Sequence, residues 1–539
     1  MTRSSSARIR FPPASHDDFD RGVAAIVGAI RPTLGPIPRT VGIERPVRTM
    51  TPQLLDNGAE IARRIVALPN IHQDPGAMFI RGLLWRLNEE LRDGTATAAV
   101  IFSSILSGGR RAIAAGISAQ ELRGQLDRIA DIVFDSIIVQ ARSCSGNHDL
   151  ANIARSVCHD PELAILLGDV ADVVGATGQI DLRPSRRNES WREFVQGSFW
   201  ESGLLSATSF GDPARQRTDI HDAAILITNL DIEKPGEMIA LLESVRASQA
   251  GGLLLIAASI SPALAGLLHA NSLPGAFPIV VARTPVQDQQ GTIVDLATMT
   301  GSRAFLREAG DTITRLEVED IGRARTVWAT HQQFGIVAGQ GDSRSIREHI
   351  DTLQASYQHA SDNDMERSLL QRLGKFQGMS ATVWIGANSD LEAKARLKNA
   401  GRAIHIVRVA MREGVVPGGG SALVHSQAAL NLRRDASFDT TERAALEIVM
   451  EALQAPAQTV HANCGYEAAP MIATMKNSGP SHGFDVISGV CGDMHEMGIV
   501  DPAGVISRIA RASIRSAALA LTVDVIVHTN STEASVDPE

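Results

Sequence analysis

Tyrosine is nearly missing from this chain, with two in 539 residues, and aromatic residues together make up only 4% of it. A surface that stacks bases on aromatic platforms is therefore not expected. A net charge of −9, with no long basic run, argues equally against a phosphate-backbone surface. Cysteine is scarce as well: Cys144, Cys158, Cys464 and Cys491 are all there are. So few in so long a chain imply free thiols and a reducing, cytoplasmic setting. No apolar run reaches membrane-spanning length, and residues 253–258 fall far short. What is abundant is alanine, glycine and isoleucine, which favours closely packed helices. A chain of this length exceeds one core, so two to four domains are expected. Residues 1–10 are basic, serine-rich and free of acid, and read as a frayed tail rather than a transit peptide.

Along the chain, Val23, Ile26, Val27 and Ile30 recur at helical spacing, and Pro32-Thr33-Leu34-Gly35-Pro36 breaks that helix in a turn. A short strand is expected at 41–47, then helices at 59–66, 76–92 and 97–115 and on to about 142. The 97–115 segment is apolar nearly all round, which predicts burial. Two short helices, 150–158 and 162–174, precede a strand at 179–182. Residues 196–335 alternate strands (224–228, 253–257, 279–282) with helices (236–250, 262–273), an α/β unit with a parallel sheet. A charged helical region at 344–373 is broken near 361–364, and helix dominates again after Ser389. The order helical, mixed, α/β, mixed, helical predicts domains inserted within domains, with both chain ends meeting in one helical body.

The chemistry centres on Arg92-Asp93-Gly94-Thr95-Ala96-Thr97 at the mouth of the apolar helix. Free N–H groups and the positive end of the helix dipole make such a mouth an anion site. Gly94 allows close backbone approach, and Asp93 can hold a cation that bridges phosphate oxygens. The plainer alternative is a capped helix and nothing more.

Several separated stretches then fall in one order. Thr33-Leu-Gly-Pro36, Asp93-Gly-Thr-Ala-Thr97, Ala114-Ala-Gly-Ile-Ser118, Val174-Gly-Ala-Thr-Gly-Gln-Ile, Asp295-Leu-Ala-Thr-Met-Thr-Gly301, Glu413-Gly-Val-Val-Pro-Gly-Gly-Gly420, Asn463-Cys-Gly465 and Met497-Gly-Ile-Val-Asp-Pro502 resemble segments of the group I chaperonins, with Ala96 replacing one threonine of the family's nucleotide loop. The resemblance spans residues 17–528. It implies an α+β multidomain chaperonin-like fold. The helical equatorial domain would comprise 1–140 and 413–539, the small intermediate hinge 141–195 and 378–412, and the α/β apical domain 196–377. It also implies homo-oligomeric rings, non-native client proteins, ATP with Mg²⁺, and K⁺ as a further cation. A lid co-chaperonin and co-assembly with a standard chaperonin stay open.

Residue by residue, the resemblance puts Thr33, Gly35 and Pro36 against the phosphates, with Ile37 and Pro38 where a lysine and a glycine are usual. Asp93 would ligate Mg²⁺, while Gly94, Thr95 and Thr97 contact phosphate. Gly419 would pass beside the ribose and base, Asp501 would bond the ribose, and Asp485 takes the base-contact place usually held by asparagine. The hydrolytic carboxylates do not carry over. Asn57 stands at the first, with Asp56 one residue earlier. The second is Asn399 when anchored on Lys394-Ala-Arg-Leu397, and Arg402 when anchored on His405. An amide or a guanidinium cannot take a water's proton as a carboxylate does. Nucleotide binding with weakened hydrolysis is expected, either in a folding machine or in a non-hydrolysing scaffold dedicated to one client such as a multisubunit oxygenase.

For the clients, the resemblance points to Leu204, to Ile239 and Leu242 on one apical helix, and to Leu264 and Leu268 on the next. His269, Thr208 and Ser209 replace apolar residues there, with Phe210 adjacent. Helical spacing alone equally allows these leucines to be core. The chain ends acidic, at 531–539, without the family's Gly-Gly-Met repeat. Two rival constellations are weaker. Gly479-Pro-Ser-His-Gly483 matches a nucleophile elbow but follows a loop rather than a strand. Cys144, His148, Cys158 and His159 suggest zinc, yet adjacent Cys158 and His159 point apart on a helix.

Overall fold

The computed structural model describes residues 8–37, 39–44, 52–144, 146–185, 187–205, 217–247, 249–271, 277–285, 289–312, 317–360, 362–376 and 379–528. The chain divides into two compact units, one from Met1–Asp172 with Ser389–Glu539 and the other Val173–Asn388.

The first unit is helical. The Thr95–Ala114 helix lies at its centre and buries Ala98, Ala99, Val100, Ile101, Phe102, Ile105 and Leu106. Helices Ala14–Ile30, Thr440–Asn463 and Ala503–Ala520 pack around it. Its small and aliphatic residues fill the inward faces, while Ser107 and Arg111 in the last turns reach water. Short strands tie distant parts of the chain together. Arg8–Arg10 runs antiparallel to Ile526–His528, and Val415–Pro417 antiparallel to Val500–Pro502. The expected strand at 41–47 is observed as Val41–Ile43, paired with Gln53–Leu55. No helix among the described residues is long and apolar enough to cross a membrane.

The second unit holds a seven-stranded sheet that is mixed, not parallel throughout. Arg217–Thr228 is central, with Gly252–Ala257 and then Ile279–Arg283 parallel to it on one side. On the other side Gly322–Thr330, Phe334–Gly339 and Ser198–Trp200 run antiparallel in turn. The hairpin 322–339 escapes a hydropathy reading because Arg323 and Arg325 alternate with inward-facing residues. Such alternation belongs to antiparallel strands wetted on one face, while the continuous apolar runs belong to the buried parallel strands. A separate three-stranded sheet joins Gln179–Pro184, Met379–Ile385 and Trp191–Gln196. The charged region after 342 forms helices Ser343–Gln358 and Asn363–Lys375, the second capped by Asp362.

This sheet corrects the client-binding reading. Alternate residues of each parallel strand serve opposite faces, so Leu254 and Ile256 enter one core and Leu253 and Leu255 the other. Helices Pro235–Ala247 and Pro262–Asn271 cover the second face. Leu242, Leu264 and Leu268 are the residues by which they do so, at 8%, 0% and 3% exposure. They are core, not an exposed strip. Leu204 is half-buried against the other cluster, and Ile239 alone is exposed, at 45%. Thr208, Ser209 and Phe210 lie outside the described residues, as do 531–539.

Candidate functional site

The Asp74–Leu91 helix stops at Arg92, which takes a left-handed conformation (φ 58°), and Gly94 (φ 73°) then opens the Thr95–Ala114 helix. Asp93 thus sits between two left-handed residues in a tight reversal. Glycine is required at 94 twice over: the positive φ strains any other residue, and a Cβ would overlap Ile509 of the Ala503–Ala520 helix. No side chain caps the helix start, while the Gly94 carbonyl accepts from Ala98 N at 3.0 Å. The first-turn N–H groups of a helix begun this way have no partner in the helix itself. Thr95 is buried and Thr97 half-buried.

Three other segments meet this loop. The turn at Arg31–Thr33 packs on the Thr95–Ala114 helix. Thr33 is buried and its hydroxyl donates to Ile30 O at 2.8 Å, so it shapes the turn. Asn463 holds the same turn by donating to Leu34 O at 2.8 Å, while Gly35 rests near Val460 and Pro36 and Ile37 are exposed. Pro38 lies outside the described residues. Gly58 packs on Thr95, whose Oγ1 would stand 3.0 Å from a Cβ there, so Asn57 is beside the loop. Finally, the Val415–Pro417 strand pairs Val416 with Asp501, and Gly418 N donates to Ile499 O at 2.9 Å. Gly419 follows at φ 63°, and only Met494 Cε, at 3.4 Å, would approach its Cβ. Asp485 ends the strand His482–Asp485, and its carboxylate accepts from Ile487 N (2.9 Å) and Ser488 N (3.2 Å) in its own turn.

The residues expected at the hydrolytic positions, Asn57 and either Asn399 or Arg402, differ in their surroundings. Asn57 is buried as an N-cap: its Oδ1 accepts from Ala59 N (2.9 Å) and Glu60 N (3.2 Å), and its Nδ2 donates to Asn88 Oδ1 (3.1 Å). Its amide is fully employed in starting a helix. Asp56 is half-buried beside it. Of the two alternatives on the Asp390–Glu413 helix, Arg402 reaches the loop, with Nη2 3.4 Å from Asp93 Oδ1 and Nε donating to Arg92 O at 3.1 Å. Asn399 lies three residues earlier, half-buried. Lys398 pairs with Glu60, and Glu413, another acid near the site, is engaged by Arg508 at 2.6 Å.

One member of the cluster is not foreseen from sequence, where it stands out only as a zinc candidate. His159 terminates the Gly146–Cys158 helix in a left-handed conformation (φ 53°). Its ring stays accessible, but surrounding protein lowers its pKa; Asp56 and Asp93 oppose that shift and Arg402 adds to it. The same three charged side chains therefore ring it. The signal in the sequence is the Asp160-Pro161 that follows, a helix stop. Among the described residues no group of three or more His, Cys, Asp or Glu is placed to hold a metal ion. The Gly479–Gly483 stretch follows the helix Ala468–Ser478 and leads into a strand, the reverse of a nucleophile elbow, and Ser481 is bonded to Asp493.

Asp501 is half-buried as a residue, yet its carboxyl is enclosed: burial first, and the Asp93 charge second, push it up to about 7. An ordinary aspartate ionises near 3.8, so between about 4 and about 7 the unfolded chain gives up a proton that the folded chain keeps. Native stability should therefore fall, relative to Asp501→Asn, as pH rises across that window. Thermal midpoints of the two proteins from pH 4 to 8 check this; a constant difference would remove the enclosed carboxyl.

The model of the TCP-1/cpn60 chaperonin family matches residues 26–531 of the chain. The four segments described above lie within that match.

Proposed function

The chain belongs to the TCP-1/cpn60 chaperonin family, and from that premise we propose that it is a group I-like protein-folding or assembly factor whose Asp93 cleft binds ATP. The observation that carries the reading is the convergence of an uncapped helix start at Gly94–Thr95, the Gly419 passage and Asp501 in one unit. The cradle suits a nucleotide. Phosphate oxygens find N–H groups and the positive end of the helix, and Gly419, with no side chain of its own, would let a flat ring approach the backbone. Thr97 adds a hydroxyl at the helix start, the Arg31–Thr33 turn with Gly35 and Pro36 walls the phosphate end, and Asp501 offers the ribose an acceptor or, protonated, a donor. Asp485 is the residue proposed nearest the base.

Asp93, partly accessible, would be the residue to hold Mg²⁺, in competition with Arg402, and the ion would supply positive charge to the phosphates; K⁺ is proposed on resemblance alone. Asn57 and Arg402 favour a variant that binds nucleotide and turns it over slowly, as a dedicated holdase would. Domain roles follow the family: equatorial 1–140 with 413–539, intermediate 141–195 with 378–412, apical 196–377, in a cytoplasmic homo-oligomeric ring. Client binding rests on family membership, since Leu242, Leu264 and Leu268 are core.

Isothermal titration with Mg²⁺-ATP should find a site on the native chain. Gly419→Leu, whose side chain would intrude on the nucleotide, should weaken ATP binding at least about a hundredfold, on the order of 3 kcal/mol, with helicity little changed and the thermal midpoint lowered by the strain of a side chain at φ 63°. The same preparation should sediment as a large oligomer. Native-like ATP affinity in Gly419→Leu would remove the cleft as the nucleotide site, and a monomer at all concentrations would remove the ring.

A further inference from the structure

The Asp93 carboxylate already has a cation. The Arg402 guanidinium stands 3.4 Å from Asp93 Oδ1, with its side chain only 16% exposed against 37% for Asp93. It does not hang there loosely. Nε donates to the Arg92 carbonyl at 3.1 Å, so the fork spans two successive residues of the loop. That second anchor fixes the charge at the loop whether or not Asp93 stays paired. The helix that carries Arg402 is itself pinned to the same unit by Arg396 on Asp160 at 2.5 Å and by Lys398 on Glu60. A guanidinium keeps its charge at any working pH and matches carboxylate and phosphate oxygens alike.

We propose that Arg402 is the built-in cation of this cleft: it neutralises Asp93 in the metal-free chain and supplies positive charge to arriving phosphates, so that a nucleoside triphosphate binds largely without a divalent ion. The inference rests on the reading of the cleft as a nucleotide site. Its physical content is a competition. A divalent ion that ligates Asp93 must displace Arg402 from that carboxylate or share it at close range with a like charge, which weakens the metal. Removing the guanidinium frees the Asp93 charge, and a carboxylate without a resident cation needs a metal before it tolerates polyphosphate.

ATP affinity is measured by titration calorimetry on the full-length protein, in excess EDTA and in saturating Mg²⁺. For the native chain the two dissociation constants should agree within about threefold. In Arg402→Ala, affinity in EDTA should drop at least about tenfold, the scale of one charge-assisted bond to phosphate, and Mg²⁺ should restore it. Arg402→Lys should keep most of the metal independence, which a purely structural role for the arginine would not produce. Mn²⁺ titrated into nucleotide-free protein and followed by electron paramagnetic resonance should bind at least about tenfold more tightly to Arg402→Ala than to the native chain. A native chain that needs Mg²⁺ as strongly as Arg402→Ala overturns the inference while leaving the nucleotide site in place. ATP binding absent from the native chain in both buffers overturns the nucleotide reading and the inference together.

Discussion

Steady-state ATP turnover by the native chain is expected at least about a hundredfold below that of a chaperonin with both hydrolytic aspartates, since loss of a positioning or base group costs about 10²–10⁴-fold. Phosphoryl transfer depends on placed charge and an oriented water rather than on covalent help from the protein. Arg402 supplies charge, but neither side chain at the expected positions is a carboxylate that orients the water. Asn57 spends its oxygen on Ala59 N and Glu60 N and its nitrogen on Asn88. Arg402 brings a donor-only cation to the loop. Restoring carboxylates should therefore restore rate, and the contact of Arg402 with Asp93 favours that position over Asn399. Asn57→Asp retains the helix cap, because a carboxylate accepts the same N–H bonds and favours a helix N-terminus, while the Asn88 amide can turn to donate. Combined with Arg402→Asp it should raise Mg²⁺-dependent turnover at least about tenfold. Asn399→Asp, three residues away from the side chain that reaches Asp93, should do much less. Phosphate release at saturating ATP is the measurement. Brisk hydrolysis by the native chain would contradict this account and shift the water-orienting role to Asp56 or His159.

Leu264→Ser should unfold the second unit rather than blunt a client surface. Leu264 has no exposed surface and packs in one cluster with Leu242, Leu268, Leu253, Leu255, Val281 and Phe305. Truncating such a leucine costs about 2–5 kcal/mol, and burying a hydroxyl in its place adds to that unless the serine bonds back to its own helix. A loss of about 3–5 kcal/mol is expected, a large fraction of a typical domain's stability. The contrast is Ile239→Ser, at an exposed position of the neighbouring helix, where a change within about 0.5 kcal/mol is expected. Urea unfolding followed by fluorescence of Trp200 and Trp328, both in this unit, reports the difference. Equal stability of Leu264→Ser and the native chain would show that the leucine is not core, and would reopen the client strip implied by the resemblance.

Local regularities were legible without a structure. The apolar period that marks Ala14–Ile30 and Thr95–Ala114 depends on neighbours three and four residues away, and the continuous runs 253–257 and 279–282 mark buried parallel strands for the same local reason. The Asp93-Gly94-Thr95 loop was legible too, because a left-handed glycine at an uncapped helix start leaves a short, fixed pattern. The sequence by itself also determined family membership, since ordered segments along the whole chain carry it. What tertiary structure alone decided is how residues far apart in sequence share space. It separated core leucine from surface isoleucine on helices of identical texture, because only the sheet they cover distinguishes the two faces. It turned half of an expected parallel sheet antiparallel, through a hairpin in which Arg323 and Arg325 alternate with inward-facing residues. And it chose Arg402 over Asn399: the two differ by less than one helical turn, but only the docking of that helix determines which side chain reaches the carboxylate 309 residues earlier.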